Sequence, residues 1–334
     1  MKVSSGQRAR AAAGGLTLAA LAAASLAAHG TTYHLVDLGE AYAVGINDAH
    51  KAAGNRLGDT QPLRWGGARW HDLKQVPNTF GSAAYAINHF GDVSGYIENA
   101  GLAFVPAIWP RGTNNFVLLP LPDGASAGIA TAITTNRRAA GYTFDGSCVV
   151  WDANWNVTDI GKPRHTGGCQ ATGMNIDGDV TVNASGHGFV WRDGHYKDIG
   201  SLGGEGSSAM AINRYGHVAG TGTDAAGIEH PIVWKAGTMT DLGFPDSSYV
   251  DVVARALNDN GAVVGDGWSN NDEAQHAVLF DQGQAIVLDT VVDDLADWNL
   301  EYATGIANDG TIVGWGVRST YYTHAFMLVP MASD

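Results

Sequence analysis

The chain has 334 residues, 33 acidic against 19 basic side chains, a formal net charge of −14 and two cysteines. A chain this acidic, with no basic run, has no cluster of Lys and Arg to hold a phosphate backbone, which excludes nucleic-acid binding and disfavours anionic membrane surfaces. Its 45 glycines punctuate short apolar segments and speak for turns rather than disorder.

Residues 1–27 read as a secretory signal peptide. Lys2, Arg8 and Arg10 precede an Ala/Leu-rich stretch from Ala11 to Ala28, and Ser25-Leu26-Ala27 suits a signal peptidase. Gly14, Gly15, Thr17 and Ser25 interrupt the stretch, which is short against the roughly 20 apolar residues of a membrane span. Cleavage leaves residues 28–334 as one domain, three basic groups poorer, exported to the periplasm or the medium as a monomer with no membrane insertion. In that compartment Cys148 and Cys169 are expected to form a disulfide rather than a metal site or a catalytic thiol.

The first predicted strand is YHLVDLG, residues 33–39. After it the phrase A-x-x-I/L-N-x-x-G recurs, centred on Asn47, Asn88, Asn175, Asn213 and Asn258, with Thr134 and Ala307 in weaker copies. The seven copies lie 38–49 residues apart and occupy nearly the whole mature chain. Each predicts a strand A before the Asn turn and a strand B after it, since Asn and Gly both tolerate the positive φ of a hairpin corner. A strand C follows with an anchor: Trp65, Trp109, Trp151, Trp191, Trp234, Phe280 and finally Leu328. Strand D then closes in Asp-Leu/Ile-Gly, as at 159–161, 198–200 and 241–243. This period and copy number predict an all-β, seven-bladed β-propeller of four-stranded blades. The last copy lacks a D strand, and residues 33–39 supply one, so that pairing them with the last blade closes the ring and leaves no open edge. Gly95, Gly141, Gly220 and Gly265 in strand B are expected to permit close packing of blade on blade.

"HAF" at 324–326, "HAV" at 276–278 and "HGF" at 187–189, with the I-N-x-x-G turns and D-L-G strand ends, resemble the HAF-repeat family of extracellular repeat proteins. The resemblance covers the mature chain and implies export and a propeller-like repeat fold. It implies no settled activity and transfers no catalytic residue. Gln61, Val105 and Ser147 replace the repeat His in the first three units, and Ala307 replaces the usual Asn of the final one.

His187, His230, His276 and His324 each stand four residues before the strand C anchor. Equivalent positions of a propeller diverge around its axis, so these imidazoles are not expected to converge on zinc, but to bind backbone groups of their own or the next blade's loop. The repeated D-L-G aspartates, such as Asp37, Asp198 and Asp241, are read as turn formers. No Ca²⁺ loop, phosphate loop or nucleophile motif is present, and no metal or cofactor is expected.

Function is sought where the copies differ, in the B–C and D–A loops that open on one face. Blades 6 and 7 gather there Trp268, Asn270, Asn271, Asp272, Glu273, Asp294, Asp297, Trp298, Arg318, Tyr321 and Tyr322. Aromatic faces beside amides and carboxylates suit a glycan, and an extracellular protein is the other partner considered. Trp298 and Tyr321 are equally suited to filling the groove between blades. Binding or scaffolding is therefore the leading function. Polysaccharide cleavage is the alternative, with a carboxylate pair about 5 to 10 Å apart drawn from Asp272, Glu273, Asp294 and Asp297, or a lyase set of Tyr322, His324 and Arg318.

Overall fold

The computed structural model describes residues 31–58, 60–77, 79, 81–101, 103–319 and 322–331. The signal-peptide segment and Tyr321 lie outside them. Seven four-stranded antiparallel sheets form a ring, each in the order A-B-C-D. Blades 1 to 6 span residues 41–72, 82–118, 128–161, 170–198, 203–241 and 249–287. Blade 7 takes A, B and C from Trp298–Ile306, Ile312–Arg318 and Tyr322–Pro330, and its outer strand from Tyr33–Gly39, as expected for ring closure. A 3₁₀ turn spans Leu288–Val291, and no helix of the described residues is long and apolar enough to cross a membrane.

Consecutive A strands touch all round the ring and form its inner wall. The Ala that begins the repeated phrase explains how they fit: Ala43, Ala84, Ala130, Ala171, Ala209, Ala254 and Ala303 are all 0–1% exposed where one blade meets the next. The apolar core is accordingly divided into clusters, most of them wedged between neighbouring blades, such as Val190 and Ile199 of blade 4 with Val218, Ile232 and Trp234 of blade 5. The tryptophan anchors do more than fill space. Trp109 and Trp151 are fully buried, and each indole N–H donates at 2.8 Å to a carbonyl that follows the D strand of the preceding blade, Lys74 and Pro120 respectively.

The repeat Asn is both turn former and clamp. In blade 2 the Asn88 Oδ1 accepts from the N–H groups of Phe90, Gly91 and Asp92, while its amide donates across the blade gap to Thr134 O at 3.1 Å. Asn47, Asn213 and Asn258 reach the next blade's Asn88, Asn258 and Ala307 carbonyls in the same way. Where Ala307 cannot donate, Asn308 bonds the Asp48 carboxylate through its N–H and its amide, closing the gap to blade 1 by a different contact.

The strand B glycines differ from expectation. Strand A carries a register shift at the same place in all seven blades, for example between Ala254 and Ala256, which pushes a carbonyl of the same blade toward strand B. A Cβ at Gly95, Gly141, Gly220 or Gly265 would lie 1.7–2.0 Å from that carbonyl oxygen. The glycines thus accommodate a bulge within the blade rather than contact between blades.

Cys148 in strand C of blade 3 and Cys169 just before strand A of blade 4 form a disulfide with a Cα–Cα distance of 5.4 Å. It ties adjacent blades where Ser147 stands in place of the repeat His. Closing a loop of 21 residues restrains the unfolded chain, so reduction is expected to lower stability by about 3 kcal/mol, read as a lower urea midpoint in dithiothreitol.

Candidate functional site

The B–C and D–A loops share one end of the ring, and the A–B and C–D turns share the other. Acidic side chains crowd the B–C end, among them Asp224, Asp246, Asp272, Glu273, Asp293 and Asp294. One of its bases, Arg318, is held by Asp37.

The described residues expected from blades 6 and 7 lie at this end, and several of them are taken up by other partners. Trp298 is 8% exposed and belongs to the core, its ring edge-on to His324 and Phe326. Asp297 accepts from the Ser319 hydroxyl and lies 3.5 Å from Arg318, whose guanidinium also bonds Asp37. Asp272 is taken up by His276 at 3.0 Å. Asn270 bonds Ser248 O through its backbone, Glu273 sits in a left-handed turn, and Asp294 stays exposed. Trp268 and Tyr322 remain open, at 38% and 61% exposure.

The repeat histidines meet carboxylates, not the backbone groups expected. Three pair with the Asp that ends the D strand of their own blade, His187 with Asp198 at 3.4 Å, His230 with Asp241 at 3.0 Å and His324 with Asp37 at 2.9 Å, and His276 pairs with Asp289 of the 3₁₀ turn just after its D strand at 3.0 Å. The D-L-G aspartates also accept from the N–H two residues on, as Asp198 does from Gly200 at 2.7 Å, so they are turn formers as well. Among the described residues no group of three or more His, Cys, Asp or Glu is placed to hold a metal ion.

His276 has a carboxylate on each ring nitrogen, Asp289 at Nδ1 and Asp272 at Nε2, both at 3.0 Å. Both nitrogens can donate only in the imidazolium. The Asp289 hydrogen bond, opposed by burial and aided by Asp272, holds His276 above its ordinary value. A histidine raised in the folded state stabilises fully below its ordinary pKa of about 6.5 and loses that contribution as pH climbs through the raised value. Asp272 is lowered: burial acts against ionisation, but the Ser269 hydrogen bond and His276 outweigh it, and this contribution disappears only in acid. The melting-temperature gap between the native protein and His276→Gln is therefore expected to be wide near about pH 5.5 and narrow near about pH 9.

A cavity at the B–C end lies elsewhere, between blades 3 and 4. It measures about 630 Å³ and is lined by Tyr142, Phe144, Gln170, Asn183, Ser185 and glycine backbone. Its aromatic wall continues into blade 2 as a row of rings, Tyr142–Phe144–Phe104–Tyr96–Tyr85, with successive centroids 4.6–6.2 Å apart. Phe144 and Tyr85 are 54% and 42% exposed. Burial, with Tyr96 and Tyr142 beside it, pushes Tyr85 up to about 12, so it remains a neutral donor. Asn183 spends its amide on both backbone groups of Ala209, whereas the exposed Gln170 side chain faces the groove. Sequence reasoning missed this row. Its signal was present in Gly95-Tyr96 and Gly141-Tyr142, aromatics at the residue after the bulge glycine, where blades 1, 5 and 6 carry Asn55, Thr221 and Asp266 and blade 7 carries Trp315, stacked on Tyr302.

At the A–B end the axis opens into a pocket of about 350 Å³. Its floor is the last residue of each A strand, Ile46, Ile87, Ile133, Met174, Ile212, Leu257 and Ile306. Its rim is the variable residue after each repeat Asn, from Asp48 and His89 to Arg214 and Asp259. Much of that rim is paired internally, with Arg214 3.5 Å from Asp259 and His89 3.8 Å from Asp48.

The comparisons with known proteins decide the fold alone. Virginiamycin B lyase from Staphylococcus aureus is 11% identical with a TM-score of 0.54, over 90% of this chain and 100% of that one. YCF48 bound to D1 peptide is 13% identical with a TM-score of 0.52, over 91% and 97%. The WD40 β-propeller domain of Doa1 is 10% identical with a TM-score of 0.51, over 89% and 96%. No protein-family model and no curated protein matches the chain.

Proposed function

We propose that the protein is an exported, non-catalytic binding propeller of the HAF-repeat type, whose B–C end recognises a neutral glycan. The observation that carries this reading is the continuous row of rings, Phe144 and Tyr85 at its exposed points, beside a groove lined by the exposed Gln170 side chain. Sugar rings stack their apolar faces on such side chains while their hydroxyls take fixed polar partners. The acidity of that end repels polyanionic sugars and leaves neutral ones. Asp272 and Asp297, candidate acids for a hydrolase, are engaged in holding His276, Ser319 and Arg318, which supports binding over cleavage. Solved structures of similar fold include a lyase and a peptide-bound protein, so the choice rests on the site and not on the fold.

A glycan array probed with the mature protein tests the reading, with each hit then incubated and assayed for new reducing ends. Binding without products, lost at least tenfold in Phe144→Ala and unchanged in Tyr322→Ala, is the expected result. Loss in Trp268→Ala or Tyr322→Ala instead moves the site to blades 6 and 7. Product formation makes the protein an enzyme, and silence on every glycan with capture of a protein ligand replaces the glycan by an extracellular protein.

A further inference from the structure

The outer groove between blades 4 and 5, at the A–B end, has a composition unlike the rest of the molecule. It encloses about 570 Å³ with Val190, Trp234, Tyr215 and Ala236 as its apolar lining. Four basic side chains, Arg192, His195, Lys197 and His217, join that lining against one acid, Asp193. Arg192 is consumed by Asp179, with Nε–Oδ1 2.7 Å and Nη2–Oδ2 2.5 Å. The Lys197 ammonium lies over the Trp234 ring, 5.1 Å from its centroid, and among the described residues no carboxylate neutralises it. Among the described residues His195 and His217 form no ion pair, although Asp193 shares their lining. Burial, with a smaller effect of nearby Lys235, holds His217 below its ordinary value.

Lys197 and His217 stand at positions that vary from blade to blade. Lys197 pairs with Val190 at the register position that Thr158, Thr240 and Ile286 occupy in other blades. Tyr215 and His217 stand two and four residues after the repeat Asn, where other copies carry Ala49 and Lys51 or Asn260 and Ala262. An uncompensated ammonium beside apolar walls is matched by a single negative charge on an apolar body.

We propose that this groove binds a small carboxylate with a bulky apolar body, its anion on Lys197 and its body against Tyr215, Val190 and Trp234. A free aryl acid and the carboxyl terminus of a peptide ending in a large apolar residue present the same chemistry. Titration calorimetry of the full mature chain with phenylacetate, N-acetyl-phenylalanine and N-acetyl-phenylalaninamide separates them. Saturable binding of either acid, at least tenfold tighter than the amide, is expected. Phenylacetate alone identifies a free acid, and N-acetyl-phenylalanine alone a peptide terminus. Lys197→Met is expected to weaken the acid about tenfold, the loss of one charge-assisted hydrogen bond, and Lys197→Arg to retain it. Equal affinity for acid and amide, an unchanged affinity in Lys197→Met with its fold verified by circular dichroism, or no saturation with any probe overturns the proposal.

Discussion

Replacing Gly265 with alanine is expected to cost on the order of 4 kcal/mol, at the extreme of single substitutions, and to leave little folded protein. The added Cβ would sit 1.7 Å from Val253 O, 2.9 Å from Val253 C and 3.2 Å from Ala254 Cα. All three are backbone atoms of strand A, held there by the bulge between Ala254 and Ala256, so no side-chain rotation relieves the clash. The bulge recurs in every blade, and straightening it in one would shift the buried Ala254 that seats blade 6 in the ring. Gly45→Ala is the matched control. It lies on strand A, its Cβ would meet only Ile87 Cγ2 at 4.0 Å, and Ala86, Ala132, Ala211 and Ala256 already occupy the equivalent place. Urea unfolding of the two variants should separate them by most of the predicted loss, and equal midpoints would remove the bulge as the reason for the glycine.

The second large effect is expected at Arg255. Asp266 is 2% exposed and depends on the Arg255 guanidinium, which bonds it through Nε and, at 3.1 Å, through Nη2, and on Gln275 Nε2 at 2.6 Å. Arg255→Met leaves a buried carboxylate with one neutral donor, a loss of about 3–5 kcal/mol. Arg255→Met combined with Asp266→Leu is expected to recover most of it, because the cost lies in the unpaired charge and not in the missing pair. Burial raises Asp266 in spite of Arg255 and Gln275, so the folded state already favours its protonated form. A carboxyl raised in this way contributes stability in acid that is lost as pH rises through its folded value, and removing Arg255 strengthens that trend. The deficit of Arg255→Met is therefore expected to grow from about pH 4 to about pH 7 in guanidinium unfolding. A deficit independent of pH would contradict the charge as its origin.

The period of the Asn phrase, the tryptophan anchors and the leading D strand determined the blade number, the strand order within a blade and the closure of the ring by Tyr33–Gly39. They could do so because blade identity is a local property: each repeat encodes one four-stranded unit, and the period counts the units. The Cys148–Cys169 bridge was legible from compartment and parity alone. Partners across blades were not. That Asn88 reaches Thr134 and that Trp109 reaches Lys74 O follow from how strands from separate repeats come to lie side by side, which no spacing within one repeat records. The bulge is silent in sequence for the same reason, since the glycine that tolerates it is one strand away from the residues that make it. The site was half legible. Variable loops pointed to the B–C end, but which of its aromatics are core and which open depends on burial. Trp298 is inside, whereas Phe144 and Tyr85, on blades 3 and 2, are the open members of the aromatic row. Burial is a property of the packed ring, and only the tertiary structure decides it.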